Sequence, residues 1–438
     1  MPDMSIISKA LKKIPGDKGG KELISESILT FITRSFSALV SFAMNMVIAR
    51  YLGVNQSGYF FLALSVITVL ATFCRGGSDL ILLRFVSIHH SKNESNEMQS
   101  VIITLLKRAV IFSLIVTPFI VFGSKIISIY LFKKPALETT LVWMGLAIPF
   151  YAAYMLQSWA FQGIKKATHS IVIQGTLLPL LLIVAIFVFS PATSSQLSFI
   201  YFILSVITCI CGYLWWKKIT TGHAATYTNR RQLISESKPL WTVAMLQTGI
   251  QWGGQFIAGA YVKPSELAQF AVAQRTSLLI SFVLLAVNLV SAPRFAAYYN
   301  AGEMDKLKRY VSNTTRMLVV VSIPLVVVVF IFAPQIMNLF GKGFAGGAML
   351  LRILALGQLV SMVSGSVGYL LMMSGHQKEM RNINIINGIL AIVLFVVLIP
   401  LYGALGAAIA TSIAIASQNL MAVYQVNKKL GINTLAIW

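Results

Sequence analysis

Runs of about twenty apolar residues follow one another along most of this chain, separated by short polar breaks. That recurrence constrains the fold more than any single motif, because a helix of about 20 apolar residues spans the roughly 30 Å hydrocarbon core of a bilayer. Twelve runs can be placed, near 28–50, 58–83, 109–131, 139–162, 170–190, 196–216, 238–262, 268–293, 313–335, 350–373, 382–401 and 403–426. Of the 438 residues, 57% are apolar and 11% charged, whereas a soluble globular domain carries about 25% charged residues. Too little polar surface remains to wet a folded body of this size. The expected fold is all-α: a polytopic membrane protein with about twelve transmembrane helices.

The charge balance then reports orientation. Lys and Arg number 35 against 13 Asp and Glu, for a formal charge of +22. In a soluble chain that excess would point to nucleic acid. Here the basic residues alternate from side to side. The termini and the connections on their side hold 25, the opposite connections hold five (Arg50, Lys133, Lys134, Lys263, Lys342), and five fall within spans. Basic residues concentrate in cytoplasmic connections, so both termini are expected in the cytoplasm and no nucleic-acid partner is called for. Cys74, Cys209 and Cys211 lie in apolar runs without metal-ligand company and read as packing residues. The N-terminal stretch has no signal-peptide core before a cleavage site; it reads as a basic lead-in, and the first span as its own uncleaved signal.

The sequence partly overlays itself at a shift of 210: Tyr51 on Tyr261, Phe60 on Phe270, and Arg84-Phe85 on Arg294-Phe295. Gly163 meets Gly375 at 212, and Gly175 meets Gly388 at 213. Six spans per half is an even number, so the halves share an orientation as parallel repeats. The expected organisation is a cytoplasmic segment 1–27, a first six-helix bundle 28–216, a linker 217–237, a second six-helix bundle 238–426 and a tail 427–438. Two such bundles commonly enclose a site and rock around it.

Polar residues within the spans mark candidate sites, because a charge at the membrane centre costs about 2.5–3.5 kcal/mol on insertion scales. The stretch FCRGGSDLILLRF, Phe73–Phe85, carries Arg75 and Asp79 four residues apart on one face. They are either a self-neutralising pair facing protein, or a cavity cation with its orienting acid. Arg84 reads as an anchor at the phosphate level. Arg275 is either a snorkelling residue or a cavity cation with Gln274 beside it, and Arg34 is open to the same two readings. Arg352 and Lys125 read as anchors. Gln247, Gln251 and Gln255 form a stripe of amides along span 7, with Trp252 nearby. It either bonds neighbouring helices or lines a wet cavity suited to sugar hydroxyls. Ser41 and Asn45 form a weaker stripe in span 1. Asp79 is the only acid well inside a span, so the interior is net cationic and suits an anionic cargo.

IARYLGVNQSGYFFLAL, the LLRF exit, LFGKGFAGGAMLLRILALGQLVSMVSGSVGYLLMMSGHQ and LIPLYGALGAAIATSIA complete the picture. As a set, over about residues 25–425, they resemble the polysaccharide-transporter (O-antigen, Wzx-like flippase) branch of the multidrug/oligosaccharidyl-lipid/polysaccharide exporter superfamily. The resemblance implies a two-lobed flippase moving a polyprenyl-pyrophosphate-linked O-antigen or capsule repeat unit from the inner to the outer leaflet of the bacterial inner membrane. It also implies contact with membrane lipid and with polysaccharide polymerase and chain-length proteins. Relatives often carry an acid in span 7, where this chain reads Gly253-Gly254-Gln255, so no coupling residue is carried over. No cofactor is expected, and a coupling ion, H+ or Na+, is left unassigned. The residues expected to bind pyrophosphate are Arg34, Arg75 and Arg275, with Asp79 orienting Arg75. Those expected to bind sugar are Gln247, Gln251, Gln255, Trp252, Gln274 and Asn45.

Two rivals differ in chemistry. A cation-coupled multidrug antiporter of the same superfamily calls for membrane carboxylates. An O-antigen polymerase or ligase calls for a large catalytic loop outside, whereas the outward connections here are short, and no catalytic triad or nucleotide motif is present.

Overall fold

The structure is a computed structural model that describes residues 18–220 and 230–435. Most of the expected cytoplasmic lead-in and the middle of the expected linker lie outside the described residues. Among the described residues every regular element is helical.

The first helix, α1 (Lys18–Arg75), is 58 residues long and bends at Gly53, where φ is 68° and ψ 174°. A left-handed φ costs an L residue about 1–2 kcal/mol. Glycine therefore reverses the chain between two spans with almost no connecting loop. Gly76 and Gly77, both at positive φ, separate α1 from α2 (Ser78–Ser91). Span 2 is thus a broken helix rather than the single one expected. Then follow α3 (Ser95–Ile126), which ends in a π-helical turn, α4 (Glu138–Gly163), the pair α5 (Ala167–Gly175) and α6 (Leu177–Phe189), and α7 (Ser194–Ile219).

The second half begins with α8 (Arg230–Tyr261). Span 8 is also broken, into α9 (Pro264–Leu278) and α10 (Phe282–Asn300). The remaining helices are α11 (Met304–Ile331), the short α12 (Ala333–Asn338), α13 (Ala348–Val363), α14 (Val367–Met373) and α15 (Gln377–Leu430), which bends at Gly403.

Nine stretches among the described residues are long and apolar enough to cross a membrane. Two of them, Leu29–Arg75 with 47 residues and Gln377–Leu430 with 54, have roughly twice the length one crossing needs and fold back at their glycines. The chain is a polytopic helical membrane protein. Helix α8 is not among the nine, because Gln247, Gln251 and Gln255 dilute its apolar character. It packs against α1, α2 and α15.

The first half packs chiefly around α4, which touches α1, α3 and α7; the second packs around α15, which touches α8, α13 and α14. Across the middle, α1 meets α8 and α9. One continuous apolar core runs through the first half and into the part of the second half that holds Phe340 and Phe344. A smaller core, with Phe295, Leu307, Leu371 and Val426, belongs to the second half alone.

The halves are joined at two seams. At the end opposite the chain termini, Gly58 lies so close to the Pro264 backbone that a Cβ would stand 2.0 Å from its carbonyl oxygen. The Gln255 amide donates to the Phe61 carbonyl, Arg50 Nε to Leu339 O at 2.6 Å, and Lys134 Nζ to Gly259 O at 2.5 Å. At the basic end, Arg108 Nη1 donates to Ser237 Oγ at 2.6 Å, Phe73 packs edge-on against Trp241, and Arg84 meets Glu236 at 2.9 Å. Arg84, expected as a phosphate-level anchor, is exposed and also bridges the halves. The pair is largely exposed, and such a bridge is worth about 0–1 kcal/mol.

Candidate functional site

Between the two seams lies a cavity of about 460 Å³. The first half supplies most of its wall: Ser41 and Asn45 from α1, Thr68 beyond the α1 bend, Tyr151 and Tyr154 from α4, Gln174 from α5 and Tyr201 from α7. The second half supplies Gln251 and Trp252 from α8, with Gln274, Arg275 and Phe282 from broken span 8. Among the described residues, Arg275 is the one charged side chain in the lining.

Arg275 sits in the last turn of α9, just before the break. The negative end of the α9 dipole favours a cation there. Its Nη1 donates to Ala271 O at 2.9 Å. Its guanidinium stands 4.4 Å from the ring centroid of Phe61 and 5.6 Å from that of Trp252. Its Nη2 is buried with no hydrogen-bond partner. A desolvated cation–π contact contributes about 2 kcal/mol, against an intramembrane charge cost of about 2.5–3.5 kcal/mol. The rings therefore offset much of the cost without neutralising the charge. An anion in the cavity would do that.

The rest of the wall is suited to hydroxyl chemistry. Tyr151 and Tyr154 meet edge to face, 5.2 Å between centroids. Tyr201 packs against Phe60 at 6.0 Å. Asn45 donates to Ser41 O, and its Oδ1 is buried without a partner. Gln274 donates to the backbone oxygen of Gln251 at 3.0 Å, which leaves its own side-chain oxygen to the cavity. An orphaned donor on one wall and an orphaned acceptor on the other are the pattern expected of a site for a polar ligand.

The structure brings some of the sequence candidates together and sends others elsewhere. Arg275, Trp252, Gln251, Gln274 and Asn45 share the cavity. Gln255 does not: it is fully buried in the seam, tied to the Phe61 carbonyl. The amide stripe is straight along α8, but the partner helix closes over its far end. Gln247, one turn nearer the chain start, is exposed and outside the lining. Arg34 is half-buried, one turn before Ala38, the first residue of α1 to reach the wall.

Arg75 is also outside the lining. Its Nε lies 2.9 Å from Asp79 Oδ1 and its Nη2 donates to Thr72 Oγ1, while the two side chains of the pair are 11% and 13% exposed. The Gly76-Gly77 break places Arg75 at the C-terminus of α1 and Asp79 in the first turn of α2, so each charge also complements a helix dipole. The pair is bonded as the self-neutralising reading expects, while Arg75 Nη1, like Arg275 Nη2, is buried without a hydrogen-bond partner. Arg352 donates to Phe330 O at 2.9 Å, in keeping with an anchor.

The tyrosines were missed in the sequence. Their one signal is that a tyrosine buried in a span must find a partner for its hydroxyl. Tyr151 and Tyr154 in IPFYAAYML recur at helical spacing beside small alanines, but nothing in that pattern brings Tyr201 to meet them.

Comparison with known proteins follows the same lines. The sequence pattern of the family described as "polysaccharide biosynthesis protein" matches residues 23–299, and that of the MatE family matches residues 239–397. A probable low-salt glycan biosynthesis flippase, Agl15 of Haloferax volcanii, is 24% identical over 408 residues, covering 91% of this chain and 82% of its own. Among solved structures, the lipid II flippase MurJ in an inward closed conformation superposes with a TM-score of 0.75 at 17% identity, over 91% of this chain and 87% of its own. An inward-facing multidrug resistance MATE family transporter of the MOP superfamily superposes at 0.66 and 14% identity, over 92% and 98%.

Proposed function

The chain belongs to the polysaccharide biosynthesis protein family, and from that premise we propose that it is a flippase for a lipid-linked oligosaccharide. The cargo is a polyprenyl-pyrophosphate-linked repeat unit, such as an O-antigen or capsule unit, carried from the cytoplasmic to the outer leaflet of a bacterial inner membrane. The observation that carries this reading is Arg275: a cation within a cavity that no carboxylate lines among the described residues, with one guanidinium nitrogen unpartnered. Guanidinium stays charged at every relevant pH and binds phosphate oxygens in pairs. The hydroxyls of Tyr151, Tyr154 and Tyr201 and the amides of Asn45, Gln174, Gln251 and Gln274 then face the sugars.

The organisation follows from the same reading. Two six-helix bundles, 28–216 and 238–426, form the lobes, joined by the linker 217–237 and flanked by the cytoplasmic segments 1–27 and 427–438, for twelve crossings in all. The seams close the cavity where α8 and α9 meet the first half. On its other flank α10 packs chiefly on α11 and α14 within its own half, leaving the lobes apart between the first limb of α1 and Phe282. That gap lets a head group pass in from the side while its polyprenyl tail stays in lipid. Loosening one seam while the other holds would expose the cavity to each face in turn.

The flippase of Haloferax volcanii supports a glycan cargo. The likeness to multidrug transporters keeps the fold compatible with a cationic drug, but a cavity whose lining charge is positive repels one. The deciding experiment is reconstitution of the purified chain in vesicles containing polyprenyl-pyrophosphate-linked glycan. Outward movement of the glycan, lost in Arg275→Ala, is expected. Movement of a cationic dye in place of the glycan would overturn the proposal.

A further inference from the structure

The two halves together build the floor beneath the cavity cation. Of the rings under Arg275, Trp252 is on α8, in the same half, and Gln274 ties α9 to the Gln251 carbonyl of α8 at 3.0 Å. Phe61, the nearer ring at 4.4 Å, is on α1 and belongs to the other half. It is fully buried, and its carbonyl accepts from the Gln255 amide of α8. Gln255 is thus tied to the backbone of the residue whose ring faces Arg275. The close contacts of the seam opposite the termini flank that residue. Gly58, one turn before Phe61, meets Pro264, and a Cβ on Gly259 would collide with Leu62.

This arrangement leaves Arg275 Nη2, a donor, and Gln255 Oε1, an acceptor, buried without partners. A buried polar group left unpaired favours any change that pairs it. Water entering as the seam opens supplies both atoms. An anion in the cavity supplies Nη2 alone. It does so best while the seam is shut, because opposite charges attract more strongly where water is excluded. The guanidinium lies over the Phe61 ring with Nη1 on the Ala271 carbonyl, so Nη2 is left for a phosphate oxygen.

We propose that Phe61 and Gln255 are positioning residues for the anion site, and that the site is complete only while the seam opposite the termini is closed. The proposal rests on the flippase reading of Arg275. Gln255 holds the α1 backbone where the Phe61 ring lies under the guanidinium. Opening the seam withdraws that ring with the first half and wets the cation. The head group is therefore held tightly with the seam shut and let go as it opens. Coupling between sites is reciprocal, so an anion on Arg275 in turn holds the seam shut.

The test uses the purified full chain carrying Cys74→Ala, Cys209→Ala, Cys211→Ala, Asn55→Cys and Lys263→Cys. Asn55 and Lys263 are exposed on either side of the seam, and a bis-maleimide joins them there. Inorganic pyrophosphate is the probe, titrated by calorimetry. Cross-linking is expected to tighten its binding by at least about fivefold, the low end of coupling between sites. Spin labels on the same two positions should draw together when pyrophosphate is added. Gln255→Leu should weaken binding to the free chain and regain it on cross-linking, because the bridge replaces the amide tie. Phe61→Leu should weaken binding with or without the bridge, and Phe61→Tyr, which keeps the ring, should restore it. Binding that needs Arg275 but ignores the cross-link, or ignores both leucine variants, overturns this proposal and leaves the flippase reading standing. Binding unchanged in Arg275→Ala overturns both. Where Phe61→Leu does not fold, failure of the bridge to rescue Gln255→Leu overturns the proposal by itself.

Discussion

Arg75 and Arg275 occupy matching positions in their elements. Each stands in the last turn of a helical limb that runs in from the end opposite the termini and then breaks. Yet one is paired with a carboxylate and the other lines the cavity. Gly58 and Pro264 touch and so serve as a common datum. From them, Arg75 lies roughly 26 Å along its helix and Arg275 roughly 16 Å, at 1.5 Å per residue. Arg75 is thus nearer the basic surface and Arg275 nearer the middle of the membrane. The larger difference is company. Arg75 has Asp79 across a two-glycine break, whereas Arg275 has only the faces of Phe61 and Trp252 and a carbonyl of its own helix. A buried charge is available for function when the protein solvates it without neutralising it.

Four substitutions would break or sharpen that contrast. The largest effect is expected on stability at the neutralised pair. Arg75→Ala leaves Asp79 buried alone and should cost about 3–5 kcal/mol, because an unpaired buried charge is strongly unfavourable. Arg75→Ala with Asp79→Ala should recover most of it, read as the melting temperature and yield of purified protein. A double variant as unstable as the single one would show that Arg75 acts alone.

At the other arginine the effect should fall on transport and not on stability. Hydrogen bonds to a charged group contribute about 1.5–3 kcal/mol. Arg275→Ala should therefore lower the glycan flipping rate by about tenfold to a hundredfold, with protein level unchanged and partial rescue by Arg275→Lys. Full activity in Arg275→Ala would place the binding charge elsewhere, with Arg34 the next residue to test.

Gly77→Ala probes the break that brings Asp79 to Arg75. At φ 72°, with a Cβ 2.3 Å from Ser237 O, alanine should cost at least about 1–2 kcal/mol from backbone strain alone and should also pry open the basic-end seam. Cross-linking across that seam would read this. Tyr151→Phe should have the smallest effect. Removing one hydroxyl contact of about 0.5–1.5 kcal/mol should slow flipping by roughly two- to tenfold, measured in the same vesicles. An unchanged rate would move the sugar site away from α4.

Legibility in the sequence follows the range of the interaction involved. Apolar runs and the alternation of basic residues are local consequences of hydrocarbon thickness and of the cost of charge in lipid, and they read directly; the bend at Gly53 was seen only in the structure. The amide stripe of α8 was visible as a stripe. Its division into the cavity residue Gln251 and the seam residue Gln255 was not, because a helix in isolation does not reveal where its neighbour stops.

The chain by itself determined that it is helical, that it lies in a membrane, and which side chains are too polar for lipid, since each of these is set by the cost of exposing one residue or one peptide group to hydrocarbon. Tertiary structure alone decided which of those polar groups cancel one another and which are left facing a cavity. Arg75 is cancelled through a break only two residues wide, and Arg275 is left open beside Phe61, a residue more than two hundred positions away. Cancellation of charge depends on distances of a few ångströms between groups that the order of residues does not place, and only the packed helices fix them.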